Sequence, residues 1–478
     1  MAIRGIRAVG GYVPRHRLDR ADIRATFGSG GGKGTRAVAG FDEDTTTMAV
    51  EATRAGGVHH VDDATAVDAL WFSTTDPAYL DKTNATAVHA ALGLPSTATA
   101  LDFGGSLRSG IGALGAALRG GGETIVVASD RRDGLPTGGD EANGGDAAAA
   151  IRIGDDHGGD LLATLVAQSS ATVEVLDRWR IPGSSQSRAW EERFAERVYV
   201  EAATEAFAAA LAQGDLDATD VDLTIVTGMH ARAAGRVASA LGVENRLADP
   251  GVDLATSVGN AGAAHPLLCL VSALETAPAG STIALVHLAD GADAIIVRTT
   301  GNSRPAPASV TSQVASGQSL AYGAYLAWRG HVTVEPPNRP GPARVSAPAA
   351  GRRADWKFRF TGSRDRASGM VHLPPARVSE KSGAVDDMDP VLLADTPGTV
   401  AAVTVDRLAY SPSPPVVFAV VDFDGGGRAP LELTDVGAQT PDVGDRVIPT
   451  FRRLSTADGI HNYFWKVRPM TAPDAGTS

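Results

Sequence analysis

Two stretches of this 478-residue chain repeat one succession of elements, 154 residues apart at Val67 and Val221 and 149 apart at Leu92 and Leu241. Val67-Asp-Ala-Leu-Trp-Phe72 reads as a buried strand, followed by an apolar-periodic helix ending at Ala91-Leu-Gly-Leu94. Val221-Asp-Leu-Thr-Ile-Val226 is a strand of the same kind, and its helix ends at Ala240-Leu-Gly-Val243. Each copy continues into a further strand and a glycine-rich turn, Phe103-Gly-Gly-Ser106 in one and Val258-Gly-Asn-Ala-Gly262 in the other. A small-residue helix follows each turn, Leu107 to Leu118 and Ala263 to Ala277. Two strands close each copy: Thr124 to Val127 with Ala147 to Ile153, and Thr282 to Leu285 with Ala292 to Val297. Strands alternating with helices imply parallel-dominated sheets covered by helices. Residues 1–165 and 166–300 are therefore expected to be two related α/β halves, each dependent on the other.

Between the copies, Trp190 to Val200 opens a long helix whose apolar face is expected at Phe194, Val198, Ala202, Phe207 and Leu211, with Gly214 as its stop. Beyond Thr300 the composition turns polar and proline-rich. Residues 301–355 read as a linker, with a short helix possible over Leu320 to Trp328. Residues 356–478 carry strand signals at Thr399 to Val405, Val416 to Phe423, Arg446 to Phe451 and Tyr463 to Val467. Gly425-Gly-Gly427 and Pro441-Asp-Val-Gly444 punctuate them. Short strands with Gly and Pro turns fit a small barrel of the five-stranded OB-fold type.

A net charge of -12 argues against non-specific binding to nucleic acid or an anionic membrane. No run approaches a spanning helix, and no signal-peptide core follows Arg4 and Arg7, so a cytoplasmic location is expected. The single cysteine, Cys269, excludes an intramolecular disulfide and any multi-thiolate zinc site. It lies in Leu267-Leu-Cys-Leu-Val271, an apolar helix face, and reads as an inert buried thiol. Gly28-Ser-Gly-Gly-Gly-Lys-Gly34 lacks the Ser/Thr after its lysine that a phosphate loop needs, and reads as a flexible loop.

The turn Phe103-Gly-Gly-Ser106 delivers the chain into a helix start, where exposed N–H groups and the macrodipole lower the pKa of a thiol. That position holds Leu107, which has no nucleophilic atom.

The duplicated region resembles the thiolase superfamily, and within it the 3-hydroxy-3-methylglutaryl-CoA synthase branch. The resemblance rests on Thr45-Thr-Thr-Met-Ala-Val-Glu51, Ser129-Asp-Arg131, Glu141 through Gly145-Asp-Ala147, and Gly259-Asn-Ala-Gly262. From about 310 to 470 the chain resembles OB-fold acyl-CoA-associated proteins that carry a zinc ribbon. Leu373-Pro-Pro375, Phe423-Asp-Gly-Gly-Gly-Arg428 and Tyr463-Phe-Trp-Lys-Val-Arg-Pro469 carry that likeness. The resemblance implies a duplicated thiolase-like five-layered α/β/α/β/α fold plus a C-terminal all-β OB-fold domain, and a homodimer. It also implies a cysteine nucleophile, a glutamate acid/base and a histidine with an asparagine at the thioester oxygen. These positions fall on Leu107, Thr75, His230 and Asn260. The four zinc-ligand positions fall on Asp365, Ser368, Ser379 and Ser382, so no zinc is expected.

Alternative readings stand beside these. His230 is an oxyanion donor or a hydrogen-bonded structural histidine, and Asn260 is its partner or a turn residue. Ser106 is a substitute nucleophile only with a base in reach. Asp76 either replaces the missing carboxylate or begins a turn before Pro77. Arg108, Arg131, Arg132 and Lys82 meet coenzyme A phosphates or are solvated. The function expected is carbon–carbon bond chemistry on an acyl-CoA or acyl-carrier thioester without a covalent intermediate: aldol, retro-aldol or decarboxylating, with coenzyme A entering only as part of the substrate. The alternative is a non-catalytic acyl-CoA-binding or scaffolding homologue that partners an active thiolase-like paralogue.

Overall fold

The structure, a computed structural model, describes residues 3–60, 66–190, 192–244, 253–302, 308–437 and 440–470. They form two units: one from the described residues of 1–39, 51–86 and 95–325, the other from 40–50, 87–94 and 326 onward.

The first unit is built on one nine-stranded sheet. Its strands are β1 (Arg4–Tyr12), β2 (Ala69–Ser73), β3 (Thr99–Asp102), β4 (Thr124–Asp130), β5 (Ala147–Asp155), β6 (Ala163–Thr172), β7 (Leu223–Gly228), β8 (Thr282–Leu288) and β9 (Gly291–Thr299). Their spatial order is β7-β8-β9-β6-β1-β5-β4-β2-β3. Outward from the β1–β6 junction, one half runs β1-β5-β4-β2 and the other β6-β9-β8-β7. In each half the last pair is parallel and the others antiparallel. The duplication seen in the sequence is thus a duplication of sheet order. The further strand of the first copy is β3. In the second copy residues 245–252 lie outside the described residues, and Leu254–Ser257 is a short helix capped by Asp253. Opening strands β1 and β6 carried no clear sequence signal.

Helices α1 (Ser109–Arg119) and α4 (His265–Thr276) lie between the halves and pack on strands of both. Ile111, Leu114 and Leu118 share a core with Leu267, Leu268 and Val271 and with Ile6, Ile151, Ile295 and Val297. Each fully buried aliphatic side chain contributes roughly 1.5–3 kcal/mol, so this shared core ties the two halves together. Helix α2 (Glu192–Gln213) covers β6, β8 and β9 and packs on α3 (Ala231–Ala240). Its buried stripe is Ala195, Tyr199, Ala202, Ala203, Ala206, Phe207 and Ala210. Phe194, expected on that face, is 64% exposed, because close packing of alanines on the sheet sets the rotation and leaves position 194 to one side. Of the expected linker, Val310–Ala315 is a helix against α4 and β1, and Gln318–Ser319 pairs with His16–Asp19, so this part belongs to the first unit.

In the second unit, β10 (Thr361–Asp365), β11 (Val371–His372) and β12 (Met388–Leu392) form a small sheet. Strands β13 (Gly398–Asp406), β14 (Val416–Phe423), β15 (Arg428–Leu433), β16 (Arg446–Ala457) and β17 (Ile460–Pro469) close a barrel in the order β13-β14-β15-β17-β16. Four of the five were legible; β15, interrupted by Pro430, was not. Phe451, Trp465, Val447 and Val467 fill the interior. Segment 40–50 is held by buried charges: Lys466 Nζ lies 2.9 Å from Asp42 and also pairs with Glu432, and Arg452 pairs with Glu43 at 3.3 Å and Asp435 at 2.9 Å. Among the described residues no helix is long and apolar enough to cross a membrane.

Candidate functional site

The ends of β7 and β8, the 260–263 turn and the start of α1 converge. Gly110 lets α1 approach that turn, since a Cβ there would lie 2.2 Å from the Ala263 carbonyl oxygen. Leu107 stands in the turn just before α1, half-exposed. The following Arg108 fixes this turn to the β8–β9 hairpin: its Nε donates to Asp293 at 2.7 Å and its Nη1 to the Asp290 carbonyl at 2.8 Å. Ser106 is exposed, and its hydroxyl meets that of Ser109 at 3.3 Å; among the described residues no histidine or carboxylate is hydrogen-bonded to it.

His230 caps α3, two residues beyond Gly228 at the end of β7. Its Nε2 donates to Asp177 Oδ2 at 2.8 Å, and the Tyr199 hydroxyl donates to the same oxygen at 2.8 Å. Burial works against charge on Asp177, yet the bonds from His230 and Tyr199 hold its carboxyl below the ordinary range. Burial and the neighbouring carboxylate push the Tyr199 phenol up, so it stays a donor. An ionised acceptor on Nε2 fixes which ring nitrogen carries the proton. Asn260 donates from Nδ2 to the Gly228 carbonyl at 2.9 Å and accepts from the Gly262 N–H at 3.0 Å. Its side chain thus braces the strand end that presents His230.

Thr75 lies in a closed network. Its hydroxyl donates to Asp130 Oδ2 at 2.9 Å and accepts from Arg132 Nη1 at 2.8 Å, and its N–H donates to Asp130 Oδ1 at 2.6 Å. Asp130 also accepts from Thr74 and from the Ala263 N–H. Asp76 turns away, paired with Arg131 at 2.9 Å. Arg108, Arg131, Arg132 and Lys82 all donate within the chain.

Two imidazoles are buried close to each other, and one of them, His287, reaches Leu107. His287 shares a hydrogen bond with Thr227 Oγ1 at 2.9 Å and meets the Leu107 backbone; burial pulls it down to about 4. Burial and the nearby His287 pull His265 down to about 4 as well. Cys269 Sγ is 3.8 Å from His265 Nε2, and burial pushes its thiol up to about 12, which makes it inert at neutral pH. Sequence reasoning missed Asp177, Tyr199 and this histidine pair.

No family model matches the chain. It is 28% identical over 305 residues to hydroxymethylglutaryl-CoA synthase of Methanopyrus kandleri, covering 60% of this chain and 85% of that protein. To the synthase of Aeropyrum pernix it is 27% identical over 350 residues, covering 69% and 95%. Among solved structures, an HMG-CoA synthase complexed with CoA superposes with a TM-score of 0.58 at 16% identity, covering 72% of this chain and 95% of that one. 3-Oxoacyl-(acyl carrier protein) synthase III of Pseudomonas aeruginosa superposes at 0.52, with 18% identity, covering 63% and 100%. The fold is thiolase-like, of the HMG-CoA synthase type.

The thiolase-like unit therefore carries a leucine and a threonine where the resemblance implies cysteine and glutamate. The four positions that the resemblance assigns to zinc ligands bond to one another. Asp365 Oδ2 accepts from the Ser379 hydroxyl at 2.7 Å and from the Ser368 hydroxyl, and Ser382 bonds the same carboxylate. The three hydroxyls hold the Asp365 carboxyl well below the usual carboxylate range. Backbone N–H groups of Lys381 and Ser382 reach Ser379 Oγ at 3.2 Å each, and Gly369 and Gly383 take positive φ. One hard carboxylate and three neutral hydroxyls, bonded to one another, do not fit a zinc ion.

Proposed function

We propose that the thiolase-like unit acts on an acyl-CoA or acyl-carrier thioester without forming a covalent acyl-enzyme. The observation that carries this reading is Leu107 at the helix start while His230, Asp177 and Tyr199 remain hydrogen-bonded together. Chemistry that needs only a stabilised enolate is what such a site can support. In a retro-aldol step the β-hydroxyl gives up its proton, the Cα–Cβ bond breaks to release a carbonyl compound, and the electron pair passes to the thioester oxygen. The enolate carbon then takes up a proton. In a decarboxylation the bond to the carboxylate breaks, carbon dioxide leaves, and the same enolate is protonated. His230, braced through Gly228 by Asn260, is the group we assign to the thioester oxygen: with its Nε2–H on Asp177, it meets that oxygen from Nδ1 as an imidazolium, which the paired carboxylate supports. The names of the relatives and neighbours, which include complexes with CoA and with a donor acyl-carrier protein, support the substrate class.

A second reading is favoured by Thr75, whose hydroxyl is already bonded to both Asp130 and Arg132. In it the chain is a non-catalytic acyl-thioester-binding or scaffolding homologue of an active thiolase-like enzyme. Under either reading we take the barrel for an OB-fold, the protein for a cytoplasmic homodimer, or a hetero-oligomer with a paralogue, and coenzyme A for the substrate's carrier, with no nucleic-acid or membrane partner and no zinc.

Incubation with β-hydroxyacyl- and β-carboxyacyl-CoAs, followed by mass spectrometry, tests the first reading against the second. Cleavage or loss of carbon dioxide is expected under the first and neither under the second. A stable acyl adduct on Ser106 or Cys269 would overturn both.

A further inference from the structure

Between β6 and α2 the chain makes a small hairpin, Arg178–Trp179 against Arg188–Ala189, and the Trp190 N–H donates to the Asp177 carbonyl at 2.7 Å. This bond sets the Trp190 ring beside the residue that holds His230. A cavity of about 390 Å³ opens there, lined by Glu174, Val175, Leu176, Asp177, Trp190 and Phe194. Three of its apolar side chains stand in the open: Leu176 is 54%, Trp190 57% and Phe194 64% exposed. Leaving three large apolar groups in water around one concavity costs free energy that a ligand would recover. The sequence spends them at one place, next to the His230–Asp177 pair.

The cavity touches the rest of the site as well. The Val173 N–H and Arg108 Nη1 both bond the Asp290 carbonyl, at 3.2 and 2.8 Å, so the near wall is fixed to the turn that carries Leu107. The charges near it are acidic. Asp177, buried, and Glu174, exposed, both line it, and after burial both push the Asp290 carboxyl up while Arg108 pulls it down.

We propose that this cavity is the acyl subsite and that it takes a neutral, apolar acyl chain or ring, not a dicarboxylic one. At about 30 Å³ per group the volume holds on the order of a dozen heavy atoms. An acyl group ending in a carboxylate would bring a third carboxylate to a lining that holds Glu174 and Asp177, the latter already paired with His230, and, among its described residues, no cation to receive it, which disfavours it roughly tenfold. Of the substrates named above, the subsite selects β-hydroxyacyl thioesters with hydrocarbon tails. This inference rests on the thioester reading, because it names the part of that substrate the cavity holds.

Titration calorimetry of the full chain with acetyl-, butanoyl-, octanoyl- and glutaryl-CoA tests it. Affinity is expected to rise with chain length, by up to about fourfold per added methylene, with glutaryl-CoA no tighter than acetyl-CoA. Trp190→Ala and Phe194→Ala should each flatten the series, lowering octanoyl-CoA affinity several-fold more than acetyl-CoA affinity; both side chains are solvent-facing, and circular dichroism checks the fold. Binding of all four thioesters with equal affinity would overturn the subsite and leave the thioester reading standing. Glutaryl-CoA binding as tightly as octanoyl-CoA would do the same. Binding of none would overturn the thioester reading itself.

Discussion

His230 donates through Nε2 to Asp177 Oδ2 across 2.8 Å, although 53 residues separate them in the chain. The carboxylate orients the imidazole and fixes its tautomer, while Tyr199 holds the carboxylate from the other side at 2.8 Å. Replacing the charge but not the shape isolates this effect. Asp177→Asn is expected to lower kcat by roughly 10²- to 10⁴-fold with little change in KM. A loss confined to KM, or to thermal stability, would count against orientation of His230 as the role of Asp177.

Leu107 occupies a helix start already fixed by Arg108 to Asp293 at 2.7 Å. The variant Leu107→Cys therefore places a thiol at exposed helix N–H groups. Incubated with acetyl-CoA, it should gain one acetyl group by intact mass, and the parent protein none. An unmodified variant would mean that the thioester does not reach this turn.

The pH dependence of stability follows from His265 and His287, both pulled down to about 4 by burial. Their ordinary value in an unfolded chain is 6.5. Below it the unfolded chain takes up protons that the folded chain refuses, so stability is complete above pH 6.5 and declines toward pH 4. Each histidine accounts for about 3 kcal/mol over that window. Melting curves of the wild type should shift down between pH 6.5 and 4. The double variant His265→Gln and His287→Gln should shift much less.

How much of this was legible in the sequence depended on whether the signal was periodic or spatial. The alternating strands and helices of the two copies are one-dimensional patterns, and the sheet order follows them. Strand β1 hid because close neighbours require its glycines: a Cβ on Gly5 would sit 2.1 Å from the Ala163 carbonyl oxygen, and one on Gly10 2.2 Å from that of Ala52. Glycine enrichment reads as a turn, so tight packing erased the strand signature. Leu107, Thr75, His230 and Asn260 were found through the resemblance, but the closure of Thr75 onto Asp130 and Arg132 was not visible. Asp177 sits in an aperiodic stretch and gains meaning only from the two residues that converge on it. Phe194 was assigned to a core stripe because its spacing fits one; packing of Ala195, Tyr199 and Ala202 turned it outward.

In the second unit, Lys466 lies within 2.9 Å of Asp42 and is also paired with Glu432, fully buried. Burial disfavours its charge, but the two carboxylates hold its pKa above the ordinary lysine value. Lys466→Met removes the cation the two acids share, taking the ion pair from Glu432 and leaving Asp42 with Arg452 at 3.8 Å. The variant is expected to lose about 3–5 kcal/mol in denaturant unfolding of the second unit. A neutral outcome would show that Arg452 alone compensates Asp42.

Asp365, Ser368, Ser379 and Ser382 are expected to hold no zinc. A zinc ribbon is held by metal–thiolate bonds, and its knuckle N–H groups point at sulfur. Here the N–H groups of Lys381 and Ser382 point at the Ser379 hydroxyl, and the hydroxyls of Ser368, Ser379 and Ser382 turn inward on Asp365. The carboxylate is the common acceptor of these hydroxyls, and supplies the charge that draws the loops together. Metal analysis of the purified protein should find zinc far below one per chain, and chelator should leave its melting temperature unchanged. Asp365→Ala removes the common acceptor of three hydroxyls, and is expected to destabilise the second unit at any zinc concentration. Changing Asp365, Ser368, Ser379 and Ser382 together to cysteine is expected to create a site for one zinc, because these four positions already converge and Gly369 and Gly383 supply the positive φ of the two turns. Stoichiometric zinc in the wild-type protein would refute this account of the ribbon.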